Sequence, residues 1–299
     1  MLSTIRILIV LLVAATASSA AADELTPVKA AVLGVIEGIT EYLPISSTGH
    51  LLVAQELLDV GATDETEDAA DTYAITIQAG AILAVVVLYF ARLRAMAAGL
   101  VGRDTDGRRV LLAVVIAFVP AAVVGVVFEA FIKDALFGVG PIIAAWIVGG
   151  VAILVLAPRL RQLGERGHAL ELLTPRAALV IGAAQVIALW PGTSRSLVTI
   201  VAALFVGLSM GAALEFSFLL GLATLTAATL YELARNGGDL FETFGVVNPL
   251  IGFVVAFASA VLAVRWLVGY LDRHGLELFG WYRIGVAVIA LGLVVGGVL

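Results

Sequence analysis

The sequence predicts an all-α polytopic membrane protein, made of two inverted repeats, each a re-entrant helical hairpin followed by three transmembrane helices. Composition is the first observation behind that expectation. Only 13% of the 299 residues are charged and 62% are hydrophobic, whereas a soluble domain keeps about a quarter of its residues charged. The second is the recurrence of apolar runs such as VLLAVVIAFVPAAVVGVVF and IIAAWIVGGVAILVLA. About 20 such residues cross a hydrocarbon core as a helix, and runs of this length are too long for barrel strands. The third is a pair of polar, proline-interrupted stretches, EYLPISSTGH and LWPGTSRS, each set in apolar sequence.

Residues 1–22 stand apart. Arg6, the run ILIVLLVAA and the small-residue stretch TASSAAADE have the order of a signal peptide cleaved after Ala22, or of an uncleaved N-terminal anchor. Either way Asp23 lies outside the cytoplasm. Beyond it, loop charge orients the chain. The segments 92–109 (Arg92, Arg94, Arg103, Arg108, Arg109), 158–176 (Arg159, Arg161, Arg166, Arg176) and 265–283 (Arg265, Arg273, Arg283) are basic, so the positive-inside rule makes them cytoplasmic. The acidic segments 56–71 and 236–243 alternate with them and fall outside. Spans expected at 72–91, 110–131, 139–157, 213–234, 247–271 and 281–298 satisfy this alternation. The remaining segments, 27–55 and 177–207, must each return to the side they left. Breaks at Pro44 and at Pro191-Gly192 suit such hairpins, because proline removes a helix hydrogen bond and biases its neighbour away from helix.

The hairpins match each other. GVIEGITEYLPISSTG (34–49) aligns with GAAQVIALWPGTSRS (182–196) when one residue is dropped, placing Gly34 on Gly182, Glu37 on Gln185, Tyr42 on Trp190, Pro44 on Pro191 and Ser47 on Ser194. The repeats then run 25–157 and 176–299 within a single domain spanning 23–299. Three spans separate the hairpins, so the repeats are inverted, which puts a site at their interface.

The polar residues suggest what that site holds. Glu37 and Glu41 lie about 6 Å apart in helical rise on one face. Two such carboxylates in a membrane share a proton or bind a divalent cation; a structural role facing water is the plain alternative. Ser46, Ser47, Thr48 and Gly49 open a second half-helix. Ser46 there is an ordinary N-cap or part of an anion cradle of hydroxyls and free N–H groups. His50 can face the same side as Ser47, and among these groups it reads as catalytic. In the second hairpin Thr193, Ser194 and Ser196 surround Arg195, a cation suited to a phosphate dianion or, more plainly, a counter-ion for Glu37 or Glu41. The net charge of −6 argues against a nucleic-acid partner, and no cysteine is present for disulfides or thiolate metal sites.

At GVIEGITEYLPISSTGH (34–50) and PGTSRSLVTI (191–200), and more loosely at DTYAITIQAGAILAVVV (71–87) and WYRIGVAVI (281–289), the chain resembles the undecaprenyl-diphosphate phosphatases, the bacitracin-resistance type of membrane phosphatase. The resemblance runs from about Leu25 to the C-terminus. It implies hydrolysis of a polyprenyl diphosphate to the monophosphate, which recycles the lipid carrier of cell-wall synthesis at the outer face of the plasma membrane. It implies Glu37 and Glu41 as the acidic motif, Ser46, Ser47, Thr48 and His50 as the hydroxyl and histidine positions, and Ser194 and Arg195 as the arginine motif. It also implies dependence on a divalent cation, Mg²⁺ or Ca²⁺, which suits Glu37 and Glu41. A homodimer is left open. An inverted-repeat transporter, a lipid flippase and a non-catalytic lipid receptor are the rival readings. For the chemistry, three nucleophiles stand: Ser47 with His50 or Glu41 as base, water activated by Glu41, or His50.

Overall fold

Two threonine–proline pairs open the two halves of the chain in the same way. Thr26 accepts a hydrogen bond from the Lys29 backbone N–H (3.2 Å) with Pro27 as the first helical residue, and Thr174 accepts from Ala177 N–H (3.2 Å) ahead of Pro175. Each side chain satisfies an orphan donor, and each proline sits where its missing N–H costs nothing. The computed structural model describes residues 25–62 and 64–299. The expected signal peptide or anchor at 1–22 lies outside the described residues.

Among the described residues the chain forms twelve α-helices: α1 Pro27–Thr40, α2 Ser47–Leu57, α3 Asp64–Leu88, α4 Phe90–Leu100, α5 Thr105–Val127, α6 Glu129–Leu136, α7 Val139–Arg166, α8 Pro175–Gln185, α9 Arg195–Phe205, α10 Met210–Phe244, α11 Val247–Leu271 and α12 Glu277–Val295. Two short 3₁₀ turns, Leu170–Leu172 and Val186–Leu189, complete them. Six of these described helices are long and apolar enough to cross a membrane: α3, α5, α7, α10, α11 and α12. They fall on the six spans expected from hydropathy. Their outer faces carry large apolar residues in the open, among them Val115, Val119, Val123 and Val126 on α5 and Val148, Val151 and Val155 on α7. Only 28% of the apolar stretch of α5 is buried inside the protein. A water-soluble surface does not present apolar side chains in such continuous rows. The chain is a multi-pass membrane protein.

The polar segments between spans differ from expectation. The acidic stretch 56–71 is loop only in part, because α3 already begins at Asp64. Carboxylates at a helix N-terminus face the positive end of its dipole, so this composition is compatible with helix. The stretch 236–243 is wholly helical: α10 runs on to Phe244 and stops at Gly245, whose φ of 66° ends it. The basic segment 92–109 holds most of α4, where Arg92 pairs with Glu215 of α10 (2.6 Å) and with Glu171 (2.7 Å). Hydropathy marks where lipid begins and not where helix ends. Arg283 is a sharper correction. Counted above as a cytoplasmic loop charge, it lies within α12 and is fully buried.

Helix pairing brings the broken segments together. α1 packs on α11 and α8 on α5, while α3 packs on α10 and α7 on α12. Two glycines permit the first two contacts. A side chain at Gly34 would strike the backbone of Gly252 on α11, and one at Gly182 would strike that of Ala117 on α5. Small residues let membrane helices approach this closely.

Candidate active site

The site is built on two turns of unusual backbone. Ser46 (φ 73°, ψ 105°) and Ser194 (φ 74°, ψ 109°) both sit at positive φ just before an 11-residue helix. Positive φ is uncommon for a residue with a side chain and concentrates at functional sites. The matching turns fix the register between hairpins. From Thr26 onto Thr174 the correspondence runs ungapped, an offset of 148 residues, and it places Glu37 on Gln185, Ser46 on Ser194 and Ser47 on Arg195. The dropped residue in the sequence alignment is therefore unnecessary, and Ser47 does not correspond to Ser194. Aligning Pro44 with Pro191 caused the shift. The helix starts, and not the prolines, hold equivalent places.

The hairpin tips are bound to each other. The Leu43 carbonyl accepts from the Ser196 hydroxyl (2.9 Å) and the Ser194 hydroxyl (3.4 Å). Arg283 donates to Gly192 O (2.7 Å) and Ala145 O (2.8 Å), and more weakly to Trp146 O and Pro44 O. Trp146 Nε1 donates to Ile45 O (3.1 Å). Both tips are irregular backbone whose carbonyls have no helical partner, so a buried guanidinium and an indole satisfy them.

At this junction Arg195 Nη2 lies 2.7 Å from Glu41 Oε1, with side chains only 12% and 5% exposed. The other oxygen of the same carboxylate, Oε2, accepts a short hydrogen bond from the Ser47 hydroxyl. Arg195 Nη1 also donates to the Ser217 carbonyl (3.2 Å), and its Nε–H has no hydrogen-bond partner among the described residues. Glu41 thus holds a hydroxyl on one side and a cation on the other. A serine needs such a neighbouring base to act as a nucleophile.

Glu41, Ser46, Ser47, Thr48, Ser194 and Arg195 line a cavity of about 560 Å³. Its other walls are largely apolar and come mainly from α3 (Ile75), α5 (Phe118, Ala121, Val126), the turn before Pro191 (Ala188, Leu189) and α10 (Leu225, Ala228), with Gln78, Glu129, Gln185 and Glu232 as further polar residues. The other residues singled out from the sequence lie elsewhere. Thr193 lines a second, apolar cavity of about 380 Å³ beside Trp190 and Phe205. Ser196 is fully buried on the Leu43 carbonyl. Gly49 packs against Trp146 and Ile142. His50 does not line the main cavity. A carbonyl can only accept, so Nδ1 donates to Ser46 O (2.6 Å), and Nε2 is hydrogen-bonded to the Tyr282 hydroxyl (3.0 Å). The ring stacks on Tyr282 with centroids 5.7 Å apart. Both nitrogens are committed, and one of them holds the Ser46 turn.

Glu37 is fully buried one turn before Glu41, and neither of its carboxylate oxygens has a hydrogen-bond partner among the described residues. A buried carboxylate without a partner is costly. Its chemistry, and that of Glu41, suits a hard cation bound through oxygen. Among the described residues no cluster of three or more acidic or histidine side chains gathers for a metal, so such an ion would draw on these two carboxylates, with Glu41 already engaged.

Comparison with known proteins decides the family. The family model for the bacitracin resistance protein BacA matches residues 30–289. The chain belongs to the BacA family. It is 47% identical over 266 residues to an undecaprenyl-diphosphatase of Sorangium cellulosum, covering 88% of this chain and 85% of that protein. It is 46% identical over 276 residues to undecaprenyl-diphosphatase 2 of Rhodospirillum rubrum, covering 91% and 96%. Undecaprenyl-diphosphatase 1 of Paraburkholderia xenovorans is 43% identical over 272 residues.

Within this BacA-family chain, Trp146, Tyr282, Arg283 and Gln185 were not among the expected site residues: Arg283 counted only as a loop charge, and Tyr282 and Arg283 only as part of the stretch WYRIGVAVI. Trp146, Tyr282 and Arg283 act across more than 90 residues of chain on carbonyls or on His50, contacts that no local spacing encodes. Gln185 was visible only as the partner of Glu37 in the hairpin match.

Proposed function

We propose that the chain hydrolyses undecaprenyl diphosphate, or a similar polyprenyl diphosphate, to the monophosphate, through attack by Ser47. The observation that carries this reading is the Ser47–Glu41–Arg195 chain at the wall of an apolar-sided cavity. Glu41 takes the Ser47 proton as the hydroxyl oxygen attacks the terminal phosphorus. The bond from that phosphorus to the bridging oxygen breaks, and the polyprenyl monophosphate departs. Water then cleaves the phosphoserine and releases phosphate. Arg195 and the first-turn N–H groups of α2 face the charge that develops in transfer. Those N–H groups remain available because Ser46 makes no side-chain cap bond. A divalent cation held by Glu37 and Glu41 would offset phosphate charge when bound.

The architecture belongs to the same proposal. We read the two halves as inverted repeats with re-entrant hairpins α1–α2 and α8–α9. The pairing of α1 with α11 and of α8 with α5, with α3–α10 and α7–α12 as self-related contacts, is what a two-fold between the halves requires. Orientation by the basic loops opens the cavity to the extracytoplasmic side of the plasma membrane. The transporter reading has no residue chain of its own to match the serine–carboxylate contact.

The test is phosphate release from undecaprenyl diphosphate by the purified protein, with and without a chelator. Release that the chelator abolishes supports both the activity and the cation; release unaffected by chelator removes the cation; no release under any condition refutes the proposal. Orientation is tested separately, with single cysteines at Thr66 and Thr105 in a chain that has none of its own. An impermeant thiol reagent added outside should label the first and not the second.

A further inference from the structure

We propose that Gln185 binds the substrate head group, its amide N–H₂ donating to a phosphate oxygen in the main cavity. This rests on the diphosphatase reading above. Gln185 is the last residue of α8, it is 2% exposed, and it contributes to the wall of the cavity that Ser47, Glu41 and Arg195 share. Neither its side-chain nitrogen nor its oxygen has a hydrogen-bond partner among the described residues, and both atoms are buried. Buried polar side chains almost always have partners, and leaving an amide without one costs folding free energy. Nothing in helix packing asks for an amide at the end of α8; leucine or methionine would fill the space without that cost.

Its counterpart identifies the ligand chemistry. Gln185 stands where Glu37 stands in the first hairpin, and both are deeply buried and unpartnered. Only Gln185 lines the cavity. There the neutral side chain matters. A carboxylate here would add to the negative charge of Glu41, Glu129 and Glu232 along the same cavity and, when ionised, has no proton to donate, whereas an amide offers two N–H donors. An anion beside Arg195 uses such donors, and the cavity is the route by which it reaches Ser47.

Three proteins test this: the wild type, Gln185→Met and Gln185→Glu, each assayed for hydrolysis of undecaprenyl diphosphate and for thermal unfolding with and without inorganic pyrophosphate. Methionine keeps size and removes the unpartnered group. Gln185→Met should therefore unfold at a temperature equal to the wild type or about 2–4 °C higher, lose stabilisation by pyrophosphate, and fall about ten- to a hundredfold in kcat/KM, the range for one hydrogen bond to a charged group. Gln185→Glu should fall at least as far. Full turnover in Gln185→Met overturns the proposal. Turnover in Gln185→Glu at or above the wild type also overturns it, because it would mean the side chain accepts from water or a cation. A lowered melting temperature with unchanged pyrophosphate binding in Gln185→Met would make the residue structural and overturn it too. Absence of hydrolysis by the wild type is a different result, since it refutes the diphosphatase reading on which the role of Gln185 depends.

Discussion

In the first hairpin the residue before the half-helix, Ser46, leaves its cap bond unmade, and the residue after it, Ser47, gives its proton toward a carboxylate. In the second, Ser194 caps the Leu197 N–H, and the next residue is Arg195. The backbones agree closely: the same threonine–proline entry, the same positive-φ serine, the same 11-residue helix. The side chains diverge in charge. Glu37, Glu41, Ser47 and His50 of the first hairpin meet Gln185, Leu189, Arg195 and Val198 of the second. One frame thus supplies a carboxylate and a hydroxyl, and the other a cation and an amide. Each half carries part of the proposed site, and the tips that bring the parts together interlock through Leu43 and Arg283.

The comparison breaks most severely at its ion pair. Arg195→Lys keeps the charge but loses the planar fork that divides donors between Glu41 and the Ser217 carbonyl. Phosphate release should fall about 10²- to 10³-fold, the scale of a lost transition-state donor, while the protein still inserts and unfolds cooperatively. Next comes the interlock. Arg283→Met removes the donor to the Gly192 and Pro44 carbonyls of the non-helical tips in the interior, so thermal stability should drop and turnover should fall about tenfold. A loss of activity alone, with stability intact, would mean that Arg283 acts on substrate and not on the tips. The smallest effect sharpens the contrast between the two serines. Ser194→Ala should cost about 1 kcal/mol through its cap, read as a lower unfolding temperature. Ser46→Ala removes no cap bond and should leave stability close to wild type.

Much of this was readable without coordinates. Six apolar runs announced six spanning helices because hydropathy responds to lipid contact directly. Glu41, Ser47 and Arg195 stood out because polar groups clustered at a break in an apolar chain are expensive and rarely accidental. What escaped the sequence depends on distant contacts. The orientation of His50 is set by Tyr282, 232 residues away, and nothing near His50 indicates that its ring turns from the cavity. Arg283 resembled an ordinary loop cation until its burial was visible. Two prolines invited a one-residue shift between the hairpins, and only backbone angles at Ser46 and Ser194 remove it. Thr193 and Ser194 are adjacent in sequence yet line different cavities, because the turn sends neighbouring side chains to opposite sides of the hairpin.

The central claim is that the hydroxyl on Glu41 is the attacking group, and a trapping experiment addresses it directly. Substrate labelled in its terminal phosphate is mixed with wild type, with Ser47→Ala and with His50→Ala, quenched within a turnover, and the label is sought on the protein. The wild type should carry it on Ser47, Ser47→Ala should carry none and lose about 10⁴-fold or more in turnover, and His50→Ala should still be labelled at Ser47. Label on His50, or substantial turnover by Ser47→Ala, would contradict the serine as nucleophile.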